Sequence, residues 1–111
     1  MNYGISFPFH FAVPVHDLEL AKEFYGGLLG LSEGRSSDRW QDYNFFGNQL
    51  VCHLVGEDYR NIDYFNPVDE DRVPVPHMGA VLADADWEAL AQKLTDAGIE
   101  FVIPPHKRFE G

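Results

Sequence analysis

Residues 9–31 read FHFAVPVHDLELAKEFYGGLLGL, and residues 76–99 read PHMGAVLADADWEALAQKLTDAGI. The first stretch opens with the period of a strand: Phe9, Phe11 and Val13 point one way, His10 and Ala12 the other. Pro14 lacks an N–H, so ladder pairing is expected to weaken near the strand's end. Asp17 then offers a helix N-cap, and Glu19 sits in the first turn at the positive end of the helix dipole. Leu18, Ala21, Phe24, Tyr25 and Leu28 follow helical spacing, and Gly30 is placed to stop the helix.

The second stretch repeats this order. His77–Ala83 reads as a strand. Asp84 or Asp86 caps a helix whose Trp87, Leu90, Ala91 and Leu94 form one apolar stripe. Gly98 ends it, and Ile99–Ile103 is a strand closed by Pro104–Pro105. His10 precedes Asp17 by seven residues, and His77 precedes Asp84 by seven. The stopping glycine follows the histidine at twenty residues (Gly30) and twenty-one (Gly98), and each is followed by an apolar residue. The pattern reads as duplication of one strand–helix–strand unit. If the units pack about a pseudo-twofold axis, both histidines face one enclosed space.

Between the copies, Arg39–Phe46 and Gln49–Val55 read as a hairpin with Gly47–Asn48 as its turn. Residues 56–76 are rich in Asp, Asn, Pro and Tyr and read as irregular, longer than the usual connection. A surface linker, a lid, a module crossover and a dimer contact all fit that stretch.

Composition narrows the class. At 111 residues the chain holds one domain, and 45% hydrophobic with 23% charged residues is ordinary for a soluble globule. A formal net charge of −10 argues against nucleic acid, which needs clustered Lys and Arg, and against an anionic membrane surface. One cysteine, Cys52, rules out an intrachain disulfide framework and suits a cytoplasmic location. No signal peptide and no apolar run of membrane-spanning length is visible in the sequence.

Three segments are shared with a known family: Phe9-His10-Phe11-Ala12-Val13, the helix from Asp17 through Phe24-Tyr25 to Leu29-Gly30-Leu31, and Pro76-His77-Met78-Gly79-Ala80-Val81. Through them the chain resembles the vicinal oxygen chelate superfamily, which contains glyoxalase I, bleomycin-resistance proteins and extradiol dioxygenases. The resemblance implies an α+β fold in which paired βαβββ modules form a cup-shaped mixed sheet around one divalent metal. Residues 1–111 would be a single such domain: module one about 5–56, a connection over 57–75, and a partial module two over 76–111. The second module is incomplete, and roughly 25–35 further residues, two strands with turns, are expected past Gly111.

The resemblance also assigns roles. His10 and His77 match the metal-ligand positions on the two first strands. His53 falls near a position that is glutamate in glyoxalase I; as a histidine it tilts the reading towards a dioxygenase, with His53 as a catalytic acid/base. The remaining carboxylate ligand is expected beyond Gly111, and Glu110 does not match its position. His106 and Arg108 are weaker candidates for meeting an anionic substrate. His16 reads as a surface or capping residue, Tyr25 as core packing and Cys52 as a buried thiol.

The implied function is therefore a metal-dependent enzyme acting on a small molecule with vicinal oxygens. An extradiol-type dioxygenase is favoured, with Fe(II) as the cofactor and Zn, Ni or Mn as alternatives, working as a homodimer. Two histidines and a carboxylate on one face of a metal are the usual non-haem Fe(II) arrangement. The competing readings are a glyoxalase-like isomerase or lyase and a metal-free small-molecule (drug) binding protein.

Overall fold

The computed structural model describes residues 7–61 and 63–106. The chain divides into two compact units, Met1–Tyr59 and Arg60–Gly111.

In the first unit a strand, β1 (His10–Val15), leads into a helix, α1 (Leu18–Ala21). Asp17 caps it as expected: its Oδ1 accepts from the N–H groups of Glu19 at 2.9 Å and Leu20 at 3.1 Å. From Lys22 to Leu28 the helix widens to π-helical winding around the poor helix formers Gly26 and Gly27. Gly30 ends it at φ +70°, a backbone conformation that glycine takes without strain.

Three strands follow: β2 (Glu33–Ser36), β3 (Trp40–Phe45) and β4 (Asn48–Leu54). The sheet order is β1-β4-β3-β2, with β1 parallel to β4 and the other pairs antiparallel. This is a βαβββ module, as expected.

Two local expectations need correction. The β1–β4 ladder does not weaken at Pro14, which pairs with His53, and the ladder runs on to Val15–Leu54. Gln49 donates to the Phe9 carbonyl and Val55 to the Val15 carbonyl, so odd-numbered residues of β1 face β4. The Pro14 nitrogen therefore lies on the outer side of an edge strand, where no ladder bond is lost. The β3–β4 turn is Phe46–Gly47, one residue earlier than expected, because Phe45 pairs with Asn48. Both turn residues have positive φ, +52° and +87°, which is the geometry that matches the twist of a two-residue hairpin.

Strand register sorts the side chains onto two faces. Phe11, Val13, Leu50, Cys52, Gln41 and Tyr43 share one face; His10, Ala12, Gln49, His53, Trp40 and Asp42 share the other. The helical segment covers the first. The Tyr25 ring lies 5.6 Å from that of Tyr43, and a Cβ at Gly26 would stand 3.7 Å from the Tyr43 ring. Tyr43, Leu50 and Cys52 are at most 1% exposed.

The Tyr43 hydroxyl is buried without a hydrogen-bond partner among the described residues. Burying an unpaired hydroxyl opposes folding. Tyr43→Phe is therefore expected to stabilise the chain by about 1 kcal/mol, read as a higher urea midpoint at unchanged slope. A loss of stability instead would show that the hydroxyl is satisfied.

The second unit departs further from expectation. Residues 57–75 are not wholly irregular: β5 (Phe65–Val68) and β6 (Asp71–Pro74) form an antiparallel hairpin. Its turn, Asp69–Glu70, has φ +49° and +72° without a glycine to announce it. Next comes α2 (Asp84–Asp96), capped at Ala83 with no side-chain cap bond. Asp84 and Asp86 lie inside its first turn, where they favour the dipole without capping. Gly98, at φ +76°, closes α2: its N–H reaches the Thr95 carbonyl, and the Ile99 N–H reaches that of Leu94.

Residues 77–83 and 99–103 form no strand, contrary to the reading of the sequence. In the first unit β1 owes its whole ladder to β4. Among the described residues of the second unit, no strand plays that part for residues 77–83. No helix among the described residues is long and apolar enough to cross a membrane.

Candidate functional site

The helix-free face of the first sheet carries the polar chemistry. His10 is exposed at the start of β1, and its Nδ1 lies 2.9 Å from Gln49 Oε1 on β4. An amide oxygen only accepts, so Nδ1 carries the proton and Nε2 keeps a lone pair. Gln49 Nε2 in turn donates to Asp42 Oδ2 on β3 at 3.3 Å.

His53 shares this face and is exposed, but it pairs with Pro14 whereas Gln49 pairs with His10. Four residues of strand separate the two imidazoles by roughly 13 Å along the sheet. With metal–nitrogen bonds of about 2.1 Å, side chains rooted that far apart do not share an ion. His16 is tied down locally, its Nε2 lying 3.0 Å from the Tyr59 carbonyl, as a surface residue should be.

In the second unit His77 is exposed, in the segment after β6, and its Nδ1 donates to the Pro74 carbonyl at 2.7 Å. A carbonyl also only accepts, so His77 likewise keeps a lone pair on Nε2. His106 Nε2 meets Asp71 Oδ2 at 2.8 Å. His77 and His106 line one cavity of about 540 Å³, walled by Trp87, Leu90 and Leu94. A carboxylate already holds one nitrogen of His106, which is not the setting of a free anion-binding imidazole. Arg108 lies outside the described residues.

Gln49 and Asp42 were not singled out in the sequence. Only the cross-strand register brings Gln49 against His10.

Burial pushes the Cys52 thiol up from 9.0 to about 11 and the Tyr43 hydroxyl, with the Cys52 charge as a lesser cause, from 10.0 to about 12. Tyr25 is raised mainly by burial as well. The folded chain thus holds the thiol proton more tightly than the unfolded chain. That stability is full below about pH 9 and is lost as pH rises toward 11, on the order of 2 kcal/mol in all. Cys52 should resist an aromatic disulfide reagent at about pH 8, where folded protein exposes neither the sulfur nor a thiolate. Cys52→Ala should flatten the alkaline decline in unfolding free energy only in part, because Tyr43 extends it to about pH 12. Rapid labelling of the folded protein would contradict both.

Comparison with known proteins matches residues 8–111 to the family model of the Glyoxalase/Bleomycin resistance protein/Dioxygenase superfamily. The chain belongs to this superfamily. A glyoxalase/bleomycin resistance protein/dioxygenase from Alicyclobacillus acidocaldarius is 31% identical, with a TM-score of 0.73 over 96% of this chain and 74% of that one. A lactoylglutathione lyase from Agrobacterium tumefaciens is 18% identical, with a TM-score of 0.55 over 86% of this chain and 73% of that one. An integron cassette protein from the mobile metagenome of V. cholerae is 18% identical, with a TM-score of 0.59 over 96% and 78%. The last two show the fold alone. A comparison with curated proteins gives no match.

Superfamily members commonly bind divalent metals. The donor chemistry of His10 and His77 fits such an ion, since each imidazole has Nδ1 engaged by an oxygen and Nε2 left to bind. Among the described residues, no three His, Cys, Asp or Glu side chains gather as a metal-binding group. The fit is therefore one of donor chemistry, shown by each imidazole in its own unit.

Proposed function

We propose that this chain acts on a small molecule bearing vicinal oxygens, with His10 and His77 as ligands of a divalent metal. The observation that carries this reading is the matched state of the two histidines. At repeat-equivalent positions, in two units with different local structure, each donates Nδ1–H to an oxygen and keeps Nε2 free. That is the second-sphere arrangement of a metal-bound histidine. His16, whose Nε2 rather than Nδ1 meets a carbonyl, does not share it.

A bound divalent ion supplies Lewis-acid chemistry that lowers the pKa of a chelating substrate oxygen. The finer reading is extradiol-type ring cleavage with Fe(II). Its support is His53, an exposed imidazole on the same sheet face as His10. Its offset from His10 calls for a substrate that extends along the sheet.

The test is metal analysis of the full chain purified without chelator, followed by aerobic incubation of the Fe(II) form with catechol. Stoichiometric metal and a yellow ring-opened product are expected. Absence of bound metal after loading with Fe(II), Zn(II), Ni(II) and Mn(II) would overturn the metalloenzyme reading. Bound metal without ring opening would remove the dioxygenase reading and leave the coarser one.

A further inference from the structure

We infer that Gln49 and Asp42 are positioning residues that select the tautomer of His10. Three strands bring the groups together: His10 on β1, Gln49 on β4 and Asp42 on β3. The inference builds on the proposed role of His10 but concerns a property of the metal-free chain.

An ionised carboxylate accepts hydrogen bonds and donates none. Asp42 Oδ2 therefore requires the NH₂ end of the Gln49 amide, which stands 3.3 Å away. With the nitrogen committed to Asp42, the amide oxygen is turned to His10, 2.9 Å from Nδ1. An oxygen there demands a proton on Nδ1. The imidazole is left with its lone pair on Nε2.

Flipping the amide would reverse each step. Its oxygen would face the Asp42 carboxylate, its NH₂ would face Nδ1, and the proton would move to Nε2. A glutamine alone accepts either state. Asp42 breaks that symmetry, because one of the two sets two oxygens against each other.

The strand register makes the arrangement specific. His10 and Gln49 are direct partners in the β1–β4 ladder, so their side chains rise together on one face. Asp42 is diagonal to Gln49, opposite Val51, within reach of a long side chain. Gly34 on β2 keeps space beside it, since a Cβ there would stand 3.2 Å from Asp42 Cβ. The His53 imidazole, on the same face, has no hydrogen-bond partner among the described residues and serves as an internal control.

The experiment is long-range ¹H–¹⁵N correlation of the imidazoles in the metal-free full chain, at about pH 8, above the ordinary imidazole titration range. It is paired with Zn(II) affinity from competition with a chelating dye. In the wild type, His10 is expected with Nδ1 protonated and Nε2 bare. Gln49→Leu should give a mixture of tautomers and weaken Zn(II) by about 10- to 100-fold, the usual effect of losing such a partner. Gln49→Glu in an Asp42→Asn background, which restores an acceptor without setting two carboxylates together, should restore the Nδ1–H form. Asp42→Asn, which frees the amide to flip, should loosen the bias. His53 should be unchanged throughout.

A wild-type His10 protonated on Nε2, or a Gln49→Leu protein with the tautomer unchanged, would overturn the inference. Should Gln49→Leu fail to fold, Asp42→Asn decides: an undisturbed His10 tautomer there would remove Asp42 from the role. The two proposals fail separately. A wild type that binds none of Fe(II), Zn(II), Ni(II) and Mn(II) but shows an Nδ1–H His10, lost in Gln49→Leu, ends the metal reading and leaves the tautomer selection standing.

Discussion

His10→Ala and His77→Ala are each expected to lower the affinity of the full chain for a divalent metal by more than about 100-fold. The figure follows from a comparison of roles. Losing a group that only orients a ligand typically costs 10- to 100-fold in affinity. Losing the ligand removes the bond as well, so the loss must exceed that range. His53→Ala should leave affinity near the wild-type value, because the register sets it four residues along the sheet from His10. Metal content after gel filtration and competition titration are the measurements. Both histidines are exposed, so their removal should shift folding stability by less than about 0.5 kcal/mol. Wild-type affinity in either variant would remove that residue from the ligand set. A matching loss in His53→Ala would show that the face works as one unit.

Much of the first unit was legible in the sequence because its signals are local. Alternation in residues 9–13, the carboxylate of Asp17 and the positive φ of Gly30 each act within a few residues of themselves. Cys52 was readable for the same reason: it alternates with His53, and one of the two had to face the helix. What was not legible depends on partners distant in sequence. Pro14 looked like the end of a ladder, yet its nitrogen lies on the side of β1 that has no ladder to lose. The β5–β6 turn contains no glycine, so its positive φ values at Asp69 and Glu70 went unannounced.

The candidate site divides along the same line. His10 and His77 could be chosen from the repeat, because duplication preserves spacing. Their tautomers could not, because these depend on Gln49, 39 residues away, and on a Pro74 carbonyl that any residue could have supplied. His77 was expected on a strand, and its orientation instead comes from one backbone bond to the end of β6. Membership of the superfamily sets the fold of the chain and does not by itself name a reaction.

Leu50→Ala should cost about 3 kcal/mol of stability, within the usual range of about 2–5 for a fully buried leucine. Leu50 is 1% exposed and sits mid-strand on the helix-covered face of β4, in register with Phe11 on one side and Tyr43 on the other. Three neighbouring strands cannot close on the gap without breaking ladder bonds, so the cavity persists and its cost adds to the lost burial. Urea unfolding followed by Trp40 fluorescence, in a Trp87→Phe background, isolates the first unit, since Trp40 lies on β3 and Trp87 on α2. The midpoint should fall at constant slope. Val51→Ala offers the contrast. Val51 is 4% exposed but lies on the opposite face, away from the helix, and its truncation removes one carbon fewer than that of Leu50, so about 1–2 kcal/mol is expected. If both variants cost the same, the helix-covered face is not the main core of the unit. The division into a packed face and a chemical face would then fail with it.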